Sequence, residues 1–263
     1  MTNTLKLYQV DAFTDKLFHG NPAGVCFLRQ WPDDVLMQSI AAENNLPETA
    51  FIVQKKVDFE IRWFTPTIEV DLCGHATLAS AYVLFKYYSI KGNLIQFYSP
   101  RSGNLVVERA EEWLTLNFPT DSYTKIDVPE VLINAFQKIP IEAYRGKTDF
   151  LLIFATQEDI EEMNPDLKML ESVGGRGVIV SAPGNEVDFV SRFFAPQSGI
   201  NEDPVTGSAH TTLTPYWSMK TGKKRLTALQ LSKRKGELVC EIKGQRVLIS
   251  GKAVTYMVGE IEI

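Results

Sequence analysis

The sequence predicts an α+β protein of two pseudo-symmetric domains, each a curled β-sheet or half-barrel around one central α-helix. Three observations predict it. Short runs alternating apolar and polar residues, the period of half-buried strands, recur along the chain. Residues 76–88 are apolar on nearly every side, as a helix enclosed by other structure must be. One pattern also occurs twice. Trp63, Phe64, Thr65 and Pro66 lead to Asp71, then Gly74 and a helix; Phe193, Phe194, Ala195 and Pro196 lead to Asp203, then Gly207 and a helix. Two copies of one strand–loop–helix unit imply duplication, each half wrapping strands round its own helix.

In order along the chain, alternation predicts a strand over 5–13, and the turn formers His19, Gly20, Asn21 and Pro22 predict a tight loop. A short apolar strand at 24–28 precedes a helix over 32–45, with Asp33 and Asp34 at its start. Strands come next at 49–53 and 58–64, then the apolar helix, then strands from 94 to 118 with turns at Ser102–Gly103 and Glu111–Glu112. The polar stretch 119–127 reads as the link between halves. Beyond it come a helix at 129–136, a strand at 150–155, a helix at 157–163, and strands at 178–181 and 187–194. A second site helix is expected over 207–219, and alternating strands at 226–231, 237–242 and 246–258 close the chain. The expected domains are 1–118 and 119–252, with the terminal strand 253–263 a candidate addition to the first.

Composition narrows the function classes. A chain of 263 residues, 44% hydrophobic and 22% charged, can bury a substantial core. A net charge of -5 and a pI near 5.4 argue against nucleic acid or an anionic membrane as partner. Three widely spaced cysteines, Cys26, Cys73 and Cys240, imply no disulfide framework. The N-terminus lacks the charged and apolar regions of a secretory signal, and no apolar run approaches the ~20 residues of a membrane-spanning helix. A cytoplasmic protein is expected, with no membrane partner; edge strands leave a homodimer open. No histidine–cysteine spacing resembles a zinc site, and the glycines at 174, 175 and 177 have no following helix to make a nucleotide site. No metal and no cofactor are expected.

If a pseudo-two-fold axis relates the halves, the helix N-termini at Gly74 and Gly207 face one cleft. Unpaired N–H groups and partial positive charge there suit a substrate carboxylate, and glycine lets backbone approach it closely. The repeat aligns Cys73 with Thr206, His75 with Ser208 and Thr77 with His210, while the unequal loops leave the register of Asp71 against Asp203 open.

Four motifs in order then identify a family. Asp11, Ala12, Phe13 and Thr14 are followed by Gly20, Asn21, Pro22, Ala23 and Gly24; next come Asn45 to Phe51 (NLPETAF), Cys73 to Thr77 (CGHAT) and Asp203 to His210 (DPVTGSAH). The chain resembles the PhzF-like, or phenazine biosynthesis-like, family, a branch of the diaminopimelate epimerase-like fold. The resemblance covers most of the sequence. It implies a biosynthetic isomerase that moves a proton on a small carboxylate-bearing, cyclic or aromatic-like metabolite without metal or organic cofactor. It also implies roles: Glu48 as general acid/base, with His75 and Asp203 assisting and Ser208 holding substrate.

The residues alone leave alternatives open. Glu48 sits between a polar loop and an apolar strand, where partial desolvation suits a proton shuttle, yet spacing alone favours an exposed cap or turn acid, and the family motif reverses that. His75, in the first turn of a helix whose dipole disfavours its cation, is a hydrogen-bond donor or a structural ring. His210, one turn into its helix, is expected to support the site from behind. Asp203, held extended by Pro204, orients a substrate amine or caps a turn. Ser208 binds a carboxylate or caps its own helix, and Asn21 edges the cleft. In the related epimerases two cysteines, one per half, are the bases; here Thr206 answers to Cys73, so a symmetric two-cysteine racemase is not expected, and Cys73 is read as a small buried residue. The alternatives to a proton-shift isomerase are an epimerase or racemase of a small amino or hydroxy acid, and a non-catalytic ligand-binding protein of the same fold.

Overall fold

A computed structural model of the chain describes residues 4–263. Its contacts divide into two compact units, 1–117 with 250–263, and 118–249. The elements, in order, are β1 (Thr4–Ala12), β2 (Asn21–Leu28), α1 (Asp34–Asn44), β3 (Glu48–Lys55), β4 (Asp58–Phe64), β5 (Glu69–Val70), α2 (Gly74–Tyr87), β6 (Leu94–Ser99), β7 (Gly103–Ala110) and β8 (Trp113–Pro119). They continue with β9 (Tyr123–Lys125), α3 (Glu130–Phe136), β10 (Glu142–Gly146), β11 (Asp149–Ile153), α4 (Gln157–Glu161), α5 (Leu167–Glu171), β12 (Gly177–Pro183) and β13 (Phe189–Phe194). The last are α6 (Ala209–Thr221), β14 (Arg225–Gln230), β15 (Gly236–Lys243), β16 (Arg246–Gly251) and β17 (Ala253–Glu262). Among the described residues no helix is long and apolar enough to cross a membrane.

In the first unit β1 pairs antiparallel with β17 and β2, β2 runs parallel to β3, β3 antiparallel to β4, β4 parallel to β6, and β7 antiparallel to β6 and β8. Helix α2 packs against β1, β2, β3, β7 and β17. Its surround explains why it is apolar on all sides: ten of its residues, His75 to Ala81 and Val83 to Phe85, are buried. Its two buried hydroxyls are satisfied within the helix, Thr77 Oγ1 donating to the Cys73 carbonyl and Ser80 Oγ to that of Ala76. A second apolar layer forms where Met37, Ile40 and Ala41 of α1 meet Leu7, Cys26, Phe51 and Phe64 of the sheet. Local chemistry bounds α1. The Asp33 side chain accepts from the Leu36 N–H at its start, and Asn45 takes the left-handed conformation at its end.

The second unit repeats the order. Strand β10 is antiparallel to β11, β11 parallel to β12, β12 antiparallel to β13, β13 parallel to β14, and β14 antiparallel to β15. Helix α6 packs on β14 and β15, while α3, α4 and α5 cover an apolar layer that includes Phe136, Phe154, Val178, Val180 and Phe194. Side chains repeat too. Arg62 holds Glu69 through Nε at 2.7 Å and a second nitrogen at 2.8 Å, its guanidinium over Phe64. Arg192 holds Glu202 through Nε at 2.7 Å and a second nitrogen at 3.1 Å, its guanidinium over Phe194. Such forked pairs fix geometry in a way a lysine cannot.

This bracing settles the repeat's register. Glu69 precedes Gly74, and Glu202 precedes Gly207, by the same interval, so the equivalent acids are Glu69 and Glu202. Asp203 then stands opposite Val70, and Asp71 opposite Pro204. Asp71 is exposed and pairs with Arg101 at 3.1 Å.

Helix α6 contains Pro215, which has no N–H for the Thr211 carbonyl. The Asp121 N–H donates to that carbonyl instead, at 3.2 Å, and Thr212 Oγ1 donates to the Asp121 carboxylate at 2.9 Å. Stretch 119–127 is therefore more than a link: it supplies this clamp and carries β9, paired with β10. Other expectations also change. Asn21 and Pro22 begin β2 rather than forming a loop, because they pair with Ala12 and Asp11. Helix α6 begins at Ala209 rather than 207, after i+3 bonds from His210 to Gly207 and from Thr211 to Ser208. The run 246–258 is two strands broken at Lys252.

Candidate active site

Glu48 is the first residue of β3, and Cys73 and His75 flank the start of α2. The sheet and its enclosed helix bring their donor atoms within 4.8 Å of one another. His75 Nε2 lies 3.2 Å from Glu48 Oε2, with side-chain exposures of 7% and 13%. On the ring's other side Cys73 Sγ is 3.5 Å from Nδ1. Burial pushes the His75 pKa down to about 3, against a hydrogen bond to the Pro22 carbonyl that raises it. The ring is thus neutral at ordinary pH, and its approach to Glu48 is an acid/base contact rather than an ion pair. The angles at Nε2 fall outside those of a good hydrogen bond, although the distance is short.

The remaining expected residues of the first unit lie beside this cluster in sequence or register. Asn21 is fully buried, and its neighbour Pro22 accepts from His75. Ala23 is the register partner of Glu48. Gly74 is the first residue of α2, whose N-cap, Cys73, makes no side-chain capping bond.

In the second unit Asp203 is tightly fixed. Its N–H donates to the Phe193 carbonyl at 3.0 Å, its carbonyl accepts from Gln230 Nε2 at 2.8 Å, and its Oδ2 accepts from Thr206 Oγ1 at 2.6 Å. Gln230 also takes the Thr206 N–H at 2.8 Å. Sequence does not single out Gln230; as one polar residue in an alternating strand it carries no signal. Gly207 is buried and Ser208 exposed at the start of α6, where the Ser208 side chain makes no capping bond. His210 is fully buried, its Nδ1 2.8 Å from the Thr206 carbonyl.

Strand register shows how the two units differ. In the first, Ala23 pairs with Glu48 and Thr49 with Phe64. In the second, Asp149 pairs with Gly177 and Val178 with Phe194. Gly177 therefore occupies the place of Glu48, and a Cβ there would come 2.4 Å from the Phe193 ring. Cys73 likewise answers to Thr206, whose hydroxyl is already donated to Asp203. The carboxylate–imidazole–thiol set occurs once in the repeat.

The fold is that of epimerase and racemase enzymes: a hydroxyproline epimerase from Agrobacterium vitis matches with a TM-score of 0.63 over 100% of this chain and 94% of its own, at 9% identity. The family model described as phenazine biosynthesis-like protein matches residues 10–259. A PhzF family protein from Enterococcus faecalis superposes with a TM-score of 0.97 at 44% identity, over 99% of this chain and 100% of its own. A Pseudomonas aeruginosa protein named an uncharacterized isomerase is 46% identical, with 98% of this chain and 99% of that one covered. The human phenazine biosynthesis-like domain-containing protein is 37% identical over 98% of this chain and 99% of its own. The chain belongs to the phenazine biosynthesis-like family, as an enzyme of the isomerase class.

Proposed function

We propose that this enzyme moves a proton between carbons of a small carboxylate-bearing metabolite, without a cofactor, using Glu48 as the general acid/base. The observation that carries this reading is the 3.2 Å approach of Glu48 Oε2 to His75 Nε2 in nearly dry surroundings. Glu48 takes a proton from a substrate carbon and returns it to another carbon on the same face. His75, neutral and held by Pro22, lies beside the carboxylate without adding charge to it, so the captured proton stays on Glu48 until it is returned. The start of α2 at Gly74, which no side chain caps, suits the substrate carboxylate. Asp203, Ser208, Gly207 and Asn21 are assigned to holding the substrate; Asp203 is suited to an amine or hydroxyl because its backbone and one carboxylate oxygen are already fixed. Epimerisation by two opposed bases is disfavoured because Thr206 donates its proton to Asp203 and Gly177 offers no side chain.

The test is Glu48→Gln, which keeps the shape and removes the base. Turnover of a responsive dihydroaromatic, amino-acid or hydroxy-acid carboxylate should fall ~10²–10⁴-fold, with the thermal midpoint unchanged. Turnover near the wild-type rate would end the assignment.

A further inference from the structure

We propose that Glu48, Cys73 and His75 also form a binding site for one thiophilic divalent cation, zinc, and that zinc there switches the enzyme off. A thiol, an imidazole and a carboxylate make a borderline-soft donor set suited to zinc and unsuited to magnesium. Zinc bonds of about 2.0–2.3 Å in a tetrahedron place neighbouring donors ~3.3–3.6 Å apart. The protein already holds Sγ 3.5 Å from one imidazole nitrogen and Oε2 3.2 Å from the other, with one donor from each residue inside 4.8 Å. Closing on one nitrogen asks the donors, now within 4.8 Å of one another, to approach by roughly 1 Å. Three protein ligands leave the fourth position open, as in zinc sites that admit water or ligand.

A second observation points the same way. His75 is 6% exposed, and its buried Nε2, 3.2 Å from Glu48 Oε2, makes no hydrogen bond among the described residues. Its ring is oriented by the Pro22 carbonyl, as rings of metal-bound histidines commonly are. The dipole of α2 opposes a cation with about half a positive charge, but the thiolate and carboxylate bring two negative ones. Zinc would displace the Cys73 proton and occupy the Glu48 oxygen that takes the substrate proton. Inhibition by zinc rests on Glu48 being the acid/base; binding of zinc does not. Cys26 and Cys240 do not compete, since both are fully buried and burial pushes their thiols up to about 12.

The experiment titrates the wild-type protein with cobalt(II) and zinc, using no substrate. One equivalent of cobalt should bind with a thiolate-to-cobalt charge-transfer band, zinc should displace it, and magnesium should not. Cys73→Ser should lose the band and bind zinc roughly tenfold or more weakly. Absence of saturable binding, a wild-type cobalt spectrum without the thiolate band, or unchanged affinity in Cys73→Ser would overturn the site. Given a responsive substrate, one equivalent of zinc should abolish wild-type turnover and a chelator should restore it; turnover intact in the zinc-bound enzyme would overturn the switch. Failure of the Glu48 assignment is read separately, from the metal-free Glu48→Gln enzyme.

Discussion

His210 commits one ring nitrogen to the Thr206 carbonyl and buries the other where nothing among the described residues bonds it. Burial lowers its pKa from 6.5 to about 4, against the Thr206 bond that raises it. Below pH 6.5 the unfolded chain therefore takes up a proton that the folded chain refuses. Stability present above that pH is lost progressively down to about pH 4, by up to about 3 kcal/mol from this residue. Urea unfolding of the wild type between pH 7 and 4.5 should show this slope together with that of His75, and His210→Gln should reduce it by the His210 share; equal slopes would refute the assignment. The sequence places His210 one turn into its helix, and there it is buried against the Thr206 carbonyl. It does not reveal the contact between His75 and Glu48, because 27 positions separate them and only strand register brings them together. By spacing alone Glu48 reads as a turn acid, and only the family motif singles it out.

At the scale of elements, the long periodic ones are legible and the short ones are not. Helix α2 and strands β1, β4 and β15 declare themselves by alternation or all-round apolarity. Strand β9 of three residues, β10 of five and helix α5 of five are too short to establish a period, and tertiary pairing makes them. The break at Lys252 is hidden because alternation continues across it. Gly177 shows what an element end can require. Its Cβ position is filled by the Phe193 ring at 2.4 Å and approached by the Phe194 carbonyl oxygen at 2.9 Å. Gly177→Ala should therefore destabilise the protein by about 1–3 kcal/mol, measured as a lowered denaturation midpoint; an unchanged midpoint would show that Phe193 yields freely.

For the whole molecule, duplication of the fold without duplication of the chemistry has a kinetic signature. One carboxylate that both removes and returns a proton carries label with it. In the proposed reaction a substrate deuterated at the donor carbon, turned over in ordinary water, should keep part of its deuterium at the acceptor carbon. Complete washout in the first turnover would favour two bases or a freely exchanging one. The repeat is readable from its aromatic and proline residues, but the acid that truly recurs is not: Asp71 and Asp203 share a place in the sequence pattern, whereas Glu69 and Glu202, with their arginine partners, share a place in space.

The clamp on helix α6 bears on the order in which the chain folds. A helix normally completes its hydrogen bonds from its own next turn, so it can form early and template the strands that pack on it. Pro215 denies α6 that independence, because the Thr211 carbonyl waits for a backbone group from Asp121, whose side chain also holds Thr212 from 91 positions away. Closing so long a loop costs entropy before any contact rewards it. The middle of α6 is therefore expected to form late, after the contact with Asp121, and φ-values near zero at Thr212 would bear this out while values near one would refute it.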